Sequence, residues 1–279
     1  MFNKSNVGTR HAFNFLSWLI PLMLSTLLCG ADELSEKGRE IFKNNRHSVV
    51  TVQIVVKSKF SVGGMGGQSN EARQDVTGAI IDASGLTVLS LAATDPSAVM
   101  QSFMADEDSK FKLETELSDV KILLEDGTEV PAEVVLRDKD FDLAFVRPKA
   151  KLAAQLSPLD LNKSGKVDVL DQVIALNRLG SAAGRAYAAS VERIAAVVDR
   201  PRLFYVPETS LTTTSLGAPA FTLDGKLVGL FVMRSLKGKS GGGAMAMMGM
   251  QSGNITGIIL PAEDIQKAAK QVPVAGDEK

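Results

Sequence analysis

The sequence predicts an all-β protein built from two packed β-barrels or sandwiches and closed by a C-terminal helix. Three observations lead there. Short runs rich in β-branched residues recur along the chain, separated by Gly, Asp, Asn and Pro. A linker at 149–165 divides the runs into two sets. After the last run, "PAEDIQKAAKQV" (261–272) has Pro261 at its start and acidic residues in its first turn, as a helix does. No repeat of the 20 to 50 residue kind is present.

The first segment, 1–31, reads as a secretory signal peptide. Lys4 and Arg10 precede the apolar run "FLSWLIPLMLSTLL", and Cys29 and Ala31 are small residues at the −3 and −1 positions of a cut after Ala31. The run is short for a membrane span, which needs ~20 apolar residues. An uncleaved anchor and lipid attachment at Cys29 are the alternatives, although Leu28 is bulky for the position before a lipidated cysteine. Cleavage leaves a mature chain without cysteine or tryptophan, so its stability rests on an apolar core rather than on disulfides. Two of the 31 basic side chains leave with the signal, so 29 face 32 acidic ones. Such a balance gives no basic field for nucleic acid.

Residues 32–48 form a helical or irregular arm, and the first barrel occupies 49–148. "VVTVQIVV" (49–56) opens it as a strand, and "SVGGMGGQSNEARQ" (61–74) is a glycine-rich loop. "VTGAIIDASGLTVLSLAA" (76–93) reads as two strands about a turn at 82–85, and 94–118 as a long loop with some helix. "VKILLEDGTEVPAEVVLRD" is a hairpin around Asp126-Gly127, and "FDLAFVRP" (141–148) ends this half. The second barrel and helix span 166–272. Its strands are "VDVLDQVIALNRLG", "AYAASVERIAAVV", "RLFYVPE", "GAPAFTLDGKLVGLFVMR" and "NITGIILP"; 273–279 is a solvated tail.

Motifs for cofactors are missing. The glycine loop lacks the Lys-Ser/Thr ending of a phosphate cradle, and no His/Cys/carboxylate cluster has metal-ligand spacing. "GGGAMAMMGMQSG" (241–253) carries four methionines among glycines. It reads as a flexible hairpin loop, with an adaptable partner surface or a thioether site for Cu(I) as alternatives.

Four stretches in this order resemble the trypsin-like serine proteases, in particular the HtrA/DegP type of the bacterial envelope. "TGAIIDASGLTVLSLAATDP" resembles the segment that carries the catalytic histidine. "VKILLEDGTEVPAEVVLRDKDFDLAFVR" resembles the strand, D-G turn and D-L-A-V-L run. "TTTSLGAPAFTLDGKLVGL" resembles G-N-S-G-G-P-L-V-x-x-x-G-x-V-V-G-I. "GNITGIILPAEDIQKAAKQV" resembles the closing strand and helix. The match runs from about Val49 to Gln271. It implies two six-stranded trypsin-like barrels, with no PDZ domain expected after the helix.

The resemblance also places the catalytic triad. Its Asp falls on Asp142, its His on Ala92 and its Ser on Leu216, with Pro219 and "LDG" fixing the last register. The oxyanion loop becomes Thr214, Ser215, Leu216 and Gly217, with threonine where the family has a glycine. A β-branched residue does not take glycine's backbone angles freely. A serine hydroxyl also needs a base. The sequence has two histidines: His11 leaves with the signal, and His47 precedes the first strand. The remaining routes to catalysis are a frame slip that uses Ser215 and a lysine base such as Lys121. Asp142 then reads as a buried carboxylate that accepts from neighbours such as Ser90 or Thr94.

The expectation is an exported domain of the periplasm or extracellular space, with a degenerate triad and no cofactor. It binds a peptide or protein partner and no nucleic acid. An envelope serine endopeptidase with a divergent site is the alternative, and a structural domain within a larger complex is a third reading. The oligomeric state is left open.

Overall fold

The computed structural model describes residues 29–62, 69–94, 111–209, 215–235 and 255–274. Most of the segment 1–31 expected to be a signal peptide, the methionine cluster at 241–253, Thr214 and the end of the tail lie outside the described residues.

Two closed antiparallel barrels of six strands each account for most of the chain. The first contains β1 (Val49–Val62), β2 (Ser69–Ile80), β3 (Thr87–Ser90), β4 (Phe111–Leu123), β5 (Glu129–Asp138) and β6 (Leu143–Pro148). Their order around the barrel is β1-β2-β3-β6-β5-β4. The second contains β7 (Gln172–Arg178), β8 (Tyr187–Val198), β9 (Phe204–Pro207), β10 (Pro219–Thr222), β11 (Leu227–Ser235) and β12 (Ile255–Pro261), ordered β10-β11-β12-β9-β8-β7. Among the described residues, three α-helices accompany the barrels: α1 (Cys29–Asn45), the single turn α2 (Leu91–Thr94) and the closing α3 (Ala262–Ala269). This is the two-barrel architecture with a C-terminal helix that the sequence predicts.

The residue pattern explains the layers. β1 is buried on both faces from Val49 to Val56, so it reads as a continuous apolar run rather than as an alternation. Val50, Val52, Ile54 and Val56 belong to the core of the first barrel. Val173, Ala175, Ile194, Tyr205, Ala220 and Ile259 belong to that of the second. A third cluster joins Ile41 of α1, Phe145 of β6, Ile174 and Leu176 of β7, and Ile265 of α3. Both long helices therefore pack where the two halves of the chain meet.

Polar contacts pin the same junction. Arg185 Nε lies 2.8 Å from Asp75 Oδ2, and Asp75 also accepts from Gln53 Nε2 at 3.1 Å. The Arg178 backbone N–H donates to Thr77 Oγ1 at 3.3 Å. The Arg178 guanidinium stacks 4.0 Å from the centre of the Tyr187 ring. Arg46 of the segment after α1 lies 5.9 Å from the same ring.

Two expected loops are shorter than the sequence suggests. Strand structure reaches Val62 on one side of the glycine-rich stretch and resumes at Ser69, inside the span assigned to loop. Residues 111–118, expected in the long loop, belong to β4. The cause is tertiary: β1 pairs with β2 from Val49 to Lys59 and with β4 from Thr51 to Val62, and this pairing overrides the weak β-propensity of the lysines, serines and glutamates. At the other end of the predicted strand pair, Leu91–Thr94 is a helical turn rather than strand.

A close approach in the second barrel offers a check on this packing. A Cβ at Gly229 on β11 would lie 1.8 Å from the Leu260 carbonyl oxygen of β12. Gly229→Ala is expected to cost about 3 kcal/mol, because backbone must move to admit the methyl group. Urea unfolding followed by circular dichroism measures it, and a Gly180→Ala control tests a glycine without a positive φ whose Cβ would meet no neighbour.

Candidate functional site

The three triad-register positions converge between the barrels. β3 runs into α2, which carries Ala92. Asp142 occupies the turn between β5 and β6, at φ +56. This is the left-handed region that Asp tolerates better than most residues. The Asp138 side chain helps set the turn by accepting from the backbone N–H groups of Asp140 (3.0 Å) and Phe141 (3.1 Å). Leu216 lies in the turn before β10.

Asp142 accepts three hydrogen bonds through its carboxylate. The Ser90 hydroxyl donates to Oδ2 at 2.5 Å and the Met233 backbone N–H to the same oxygen at 2.9 Å. The Ala92 backbone N–H donates to Oδ1 at 2.8 Å. The Asp142 carbonyl accepts from Leu91 N at 2.8 Å. One residue thus ties α2, β3 and β11 together. Of the two partners expected from sequence, Ser90 is the donor, whereas Thr94 Oγ1 turns to the Leu91 carbonyl at 2.9 Å. Burial pushes the Asp142 carboxyl up from 3.8 to about 6, and the bonds from Ser90, Met233 and Ala92 only partly offset it.

Leu216 is 3% exposed and belongs to the same apolar cluster as Leu89, Leu91 and Ala93, with Ala92 and Met233 against it. A side chain from the second half of the chain therefore completes the core of the first barrel. The turn that presents it is fixed by Gly217, at φ +85, where a Cβ would lie 2.1 Å from the Thr77 carbonyl oxygen. Gly217 N donates to Phe231 O at 2.7 Å, and Phe231 N donates to Ala218 O at 2.9 Å. The Ser215 carbonyl accepts from Ala218 N at 3.1 Å, and Pro219 begins β10. Thr214 lies outside the described residues.

The alternative bases are held elsewhere. His47 Nδ1 lies 2.5 Å from Glu125 Oε2, beside the β4–β5 turn. Lys121 Nζ lies 2.9 Å from Glu129 Oε2 and 3.9 Å from Asp119 Oδ2. Among the described residues, no group of three or more His, Cys, Asp or Glu side chains could hold a metal ion. No helix among them is long and apolar enough to cross a membrane.

The sequence reading missed two features. The third donor to Asp142 is a backbone N–H, which carries no residue signature. Behind the turn lies a cavity of about 20 Å³, lined in part by Asn177, Ser190, Glu192 and Ser215. Asn177 Oδ1 and Glu192 Oε2 are buried there without a hydrogen-bond partner. The space suits one water. A signal did exist: Val173, Ala175 and Asn177 alternate along β7, and Asn177 is the polar residue in an otherwise apolar series.

The family described as "Trypsin-like peptidase domain" matches residues 76–230. The chain belongs to the trypsin-like peptidase family. Among solved structures, it is similar to the protease domain of MamO from Magnetospirillum magneticum in its apo form. The identity is 17%, with a TM-score of 0.46, over 79% of this chain and 95% of that one. It is also similar to the HtrA-type protease AlgW, solved as a serine-to-alanine variant with a decapeptide. Here the identity is 15% and the TM-score 0.54, over 84% of this chain and 67% of that one. No curated protein matches the sequence.

Two measurements check the site. Leu216→Ala is expected to destabilise the protein by about 2 to 4 kcal/mol, as truncation of a buried leucine does. A stability change near zero in denaturant unfolding would remove Leu216 from the core. The second concerns Asp142, whose carboxyl is raised in the folded state, so its protonated form favours folding. That contribution is fully present below pH 3.8 and is lost as the pH rises through about 6. Wild type should gain on the order of 2 kcal/mol relative to Asp142→Asn between pH 7 and pH 4. Parallel urea titrations read the difference, and a constant gap across that range contradicts it.

Proposed function

We propose that this trypsin-like domain is exported and binds a peptide or protein partner without cleaving it. The observation that carries the reading is the burial of Leu216: the nucleophile register position is an apolar core contact. Acyl transfer by this fold needs a hydroxyl and a base in that place. Here Ala92 takes the register position of the base, and Asp142 spends both carboxylate oxygens on Ser90, Ala92 and Met233.

Binding has structural support of its own. β10 covers β11 only from Leu227 to Leu230. Beyond that point, Phe231 bonds to the turn and Met233 N to Asp142. Among the described residues, no strand then flanks β11 on this side as far as Ser235. A strand edge of this kind can take up an extended peptide by backbone pairing. AlgW, of the same fold, was solved with a decapeptide. The apolar segment at 1–31 supports export.

Active-site labelling tests the catalytic half of the proposal. The purified protein is expected to take up no fluorophosphonate and to leave casein intact. Labelling that disappears on Ser215→Ala overturns the reading in favour of a divergent serine endopeptidase. Hydrogen exchange tests the binding half: a captured peptide should slow exchange at 233–235, and unchanged rates in a bound complex would move the binding site elsewhere.

A further inference from the structure

We propose that the peptide bound by this domain is acidic, and that Arg202 and Arg234 recognise its carboxylates. The inference rests on the peptide-binding reading above and names the partner's chemistry. Arg234 follows Met233 on β11, and Arg202 precedes β9. Each guanidinium lies over a phenylalanine ring. Arg202 is 4.6 Å from the centre of Phe141, and Arg234 is 4.6 Å from that of Phe204.

A closed circuit of contacts places the two arginines on one short stretch of surface. Arg202 reaches Phe141 of the β5–β6 turn, and its Nη1 donates to the Asp140 carbonyl at 3.4 Å. Phe141 precedes Asp142, whose Oδ2 accepts from Met233 N at 2.9 Å. Met233 precedes Arg234, which reaches Phe204, and Phe204 follows closely on Arg202. Both rings pack in the same apolar cluster between the barrels. The arginines therefore flank the place where β11 passes the Asp142 turn, beside the strand edge that the preceding reading gives to a peptide. Arg234 shares its face of β11 with Val232 and Leu230. A strand paired with β11 presents every second side chain to that face, so acidic residues at alternate positions suit it.

The chemistry of the pair calls for an anion. Both side chains are partly buried. A cation drawn partly out of water needs a counter-charge, and a ring face supplies only some of it. Among the described residues, neither arginine has an ion pair. Asp138, the acid that sets the β5–β6 turn, is taken up by the backbone N–H groups of Asp140 and Phe141. The stretch that follows Arg234, 235–254, contains no aspartate or glutamate. Arg46 and Arg178 have Nε atoms buried without a partner, whereas Arg202 and Arg234 have no nitrogen so buried, and their unused N–H groups face water. Stacking on a ring fixes the guanidinium plane and leaves its N–H edge free, so a carboxylate is gripped through both oxygens at little cost in side-chain order.

Fluorescence anisotropy of the full chain with three labelled peptides tests the preference. One peptide alternates threonine and glutamate, and the others carry glutamine or lysine in place of glutamate. The glutamate peptide should bind about tenfold more tightly than the glutamine peptide, because its hydrogen bonds to arginine join opposite charges. The lysine peptide should bind more weakly than either, and added salt should narrow the gap. Arg202→Gln and Arg234→Gln should each remove most of the preference without weakening the glutamine peptide. Arg39→Gln, at an exposed arginine of α1, should leave it intact. Arg234→Lys keeps the charge but not the planar fork, and should retain part of the preference. Circular dichroism confirms that each variant folds. Glutamate and glutamine peptides that bind equally, with slowed exchange at 233–235, overturn the acidic preference and leave the peptide-binding reading standing. A preference that survives in both glutamine variants also overturns it. Failure of all three peptides to bind overturns both.

Discussion

The junction between the barrels turns on one carboxylate. Asp142 is removed from water, and its negative charge is held by a hydroxyl and two backbone N–H groups rather than by a cation. Those donors come from β3, the turn after it, and β11. A buried charge tolerates few other arrangements, since losing any one donor leaves it less compensated. The geometry of α2, the position of β11 and the left-handed turn at Asp142 all follow from supplying that charge with partners.

Around the carboxylate, the site is closed by apolar packing. Leu216 reaches into the core of the first barrel, and Gly217 brings backbone against β2 so closely that only glycine fits. The turn is therefore rigid for two separate reasons, a steric one and a hydrophobic one. Leu216 is an apolar side chain in surroundings of the same character.

Much of this was legible in the residues. β-branched runs, Asp-Gly turns and the register of Gly217, Pro219 and "LDG" located the barrels and the turn. Ser90 was one of two partners expected for Asp142, and the other, Thr94, bonds to the Leu91 carbonyl instead. Other features were not legible, for identifiable reasons. Strand at 57–62 and 111–118 is made by pairing across the sheet, and its alternating lysines and glutamates look like loop until the partner strands are known. Met233 acts through its backbone, so any residue there would give the same signal. Glu192 reads as an ordinary surface glutamate until the pairing of β8 with β7 turns it towards the cavity behind the site.

The burial of Leu216 has a historical consequence. A leucine that seals a core is held by selection on folding, whatever the domain binds. A change that placed a hydroxyl at 216 would first weaken the protein, and on the proposed reading no base stands ready at 92 to make the hydroxyl useful. Proteins sit only slightly above the stability that function requires. A first step towards a hydroxyl at 216 therefore costs stability before it can bring any chemistry.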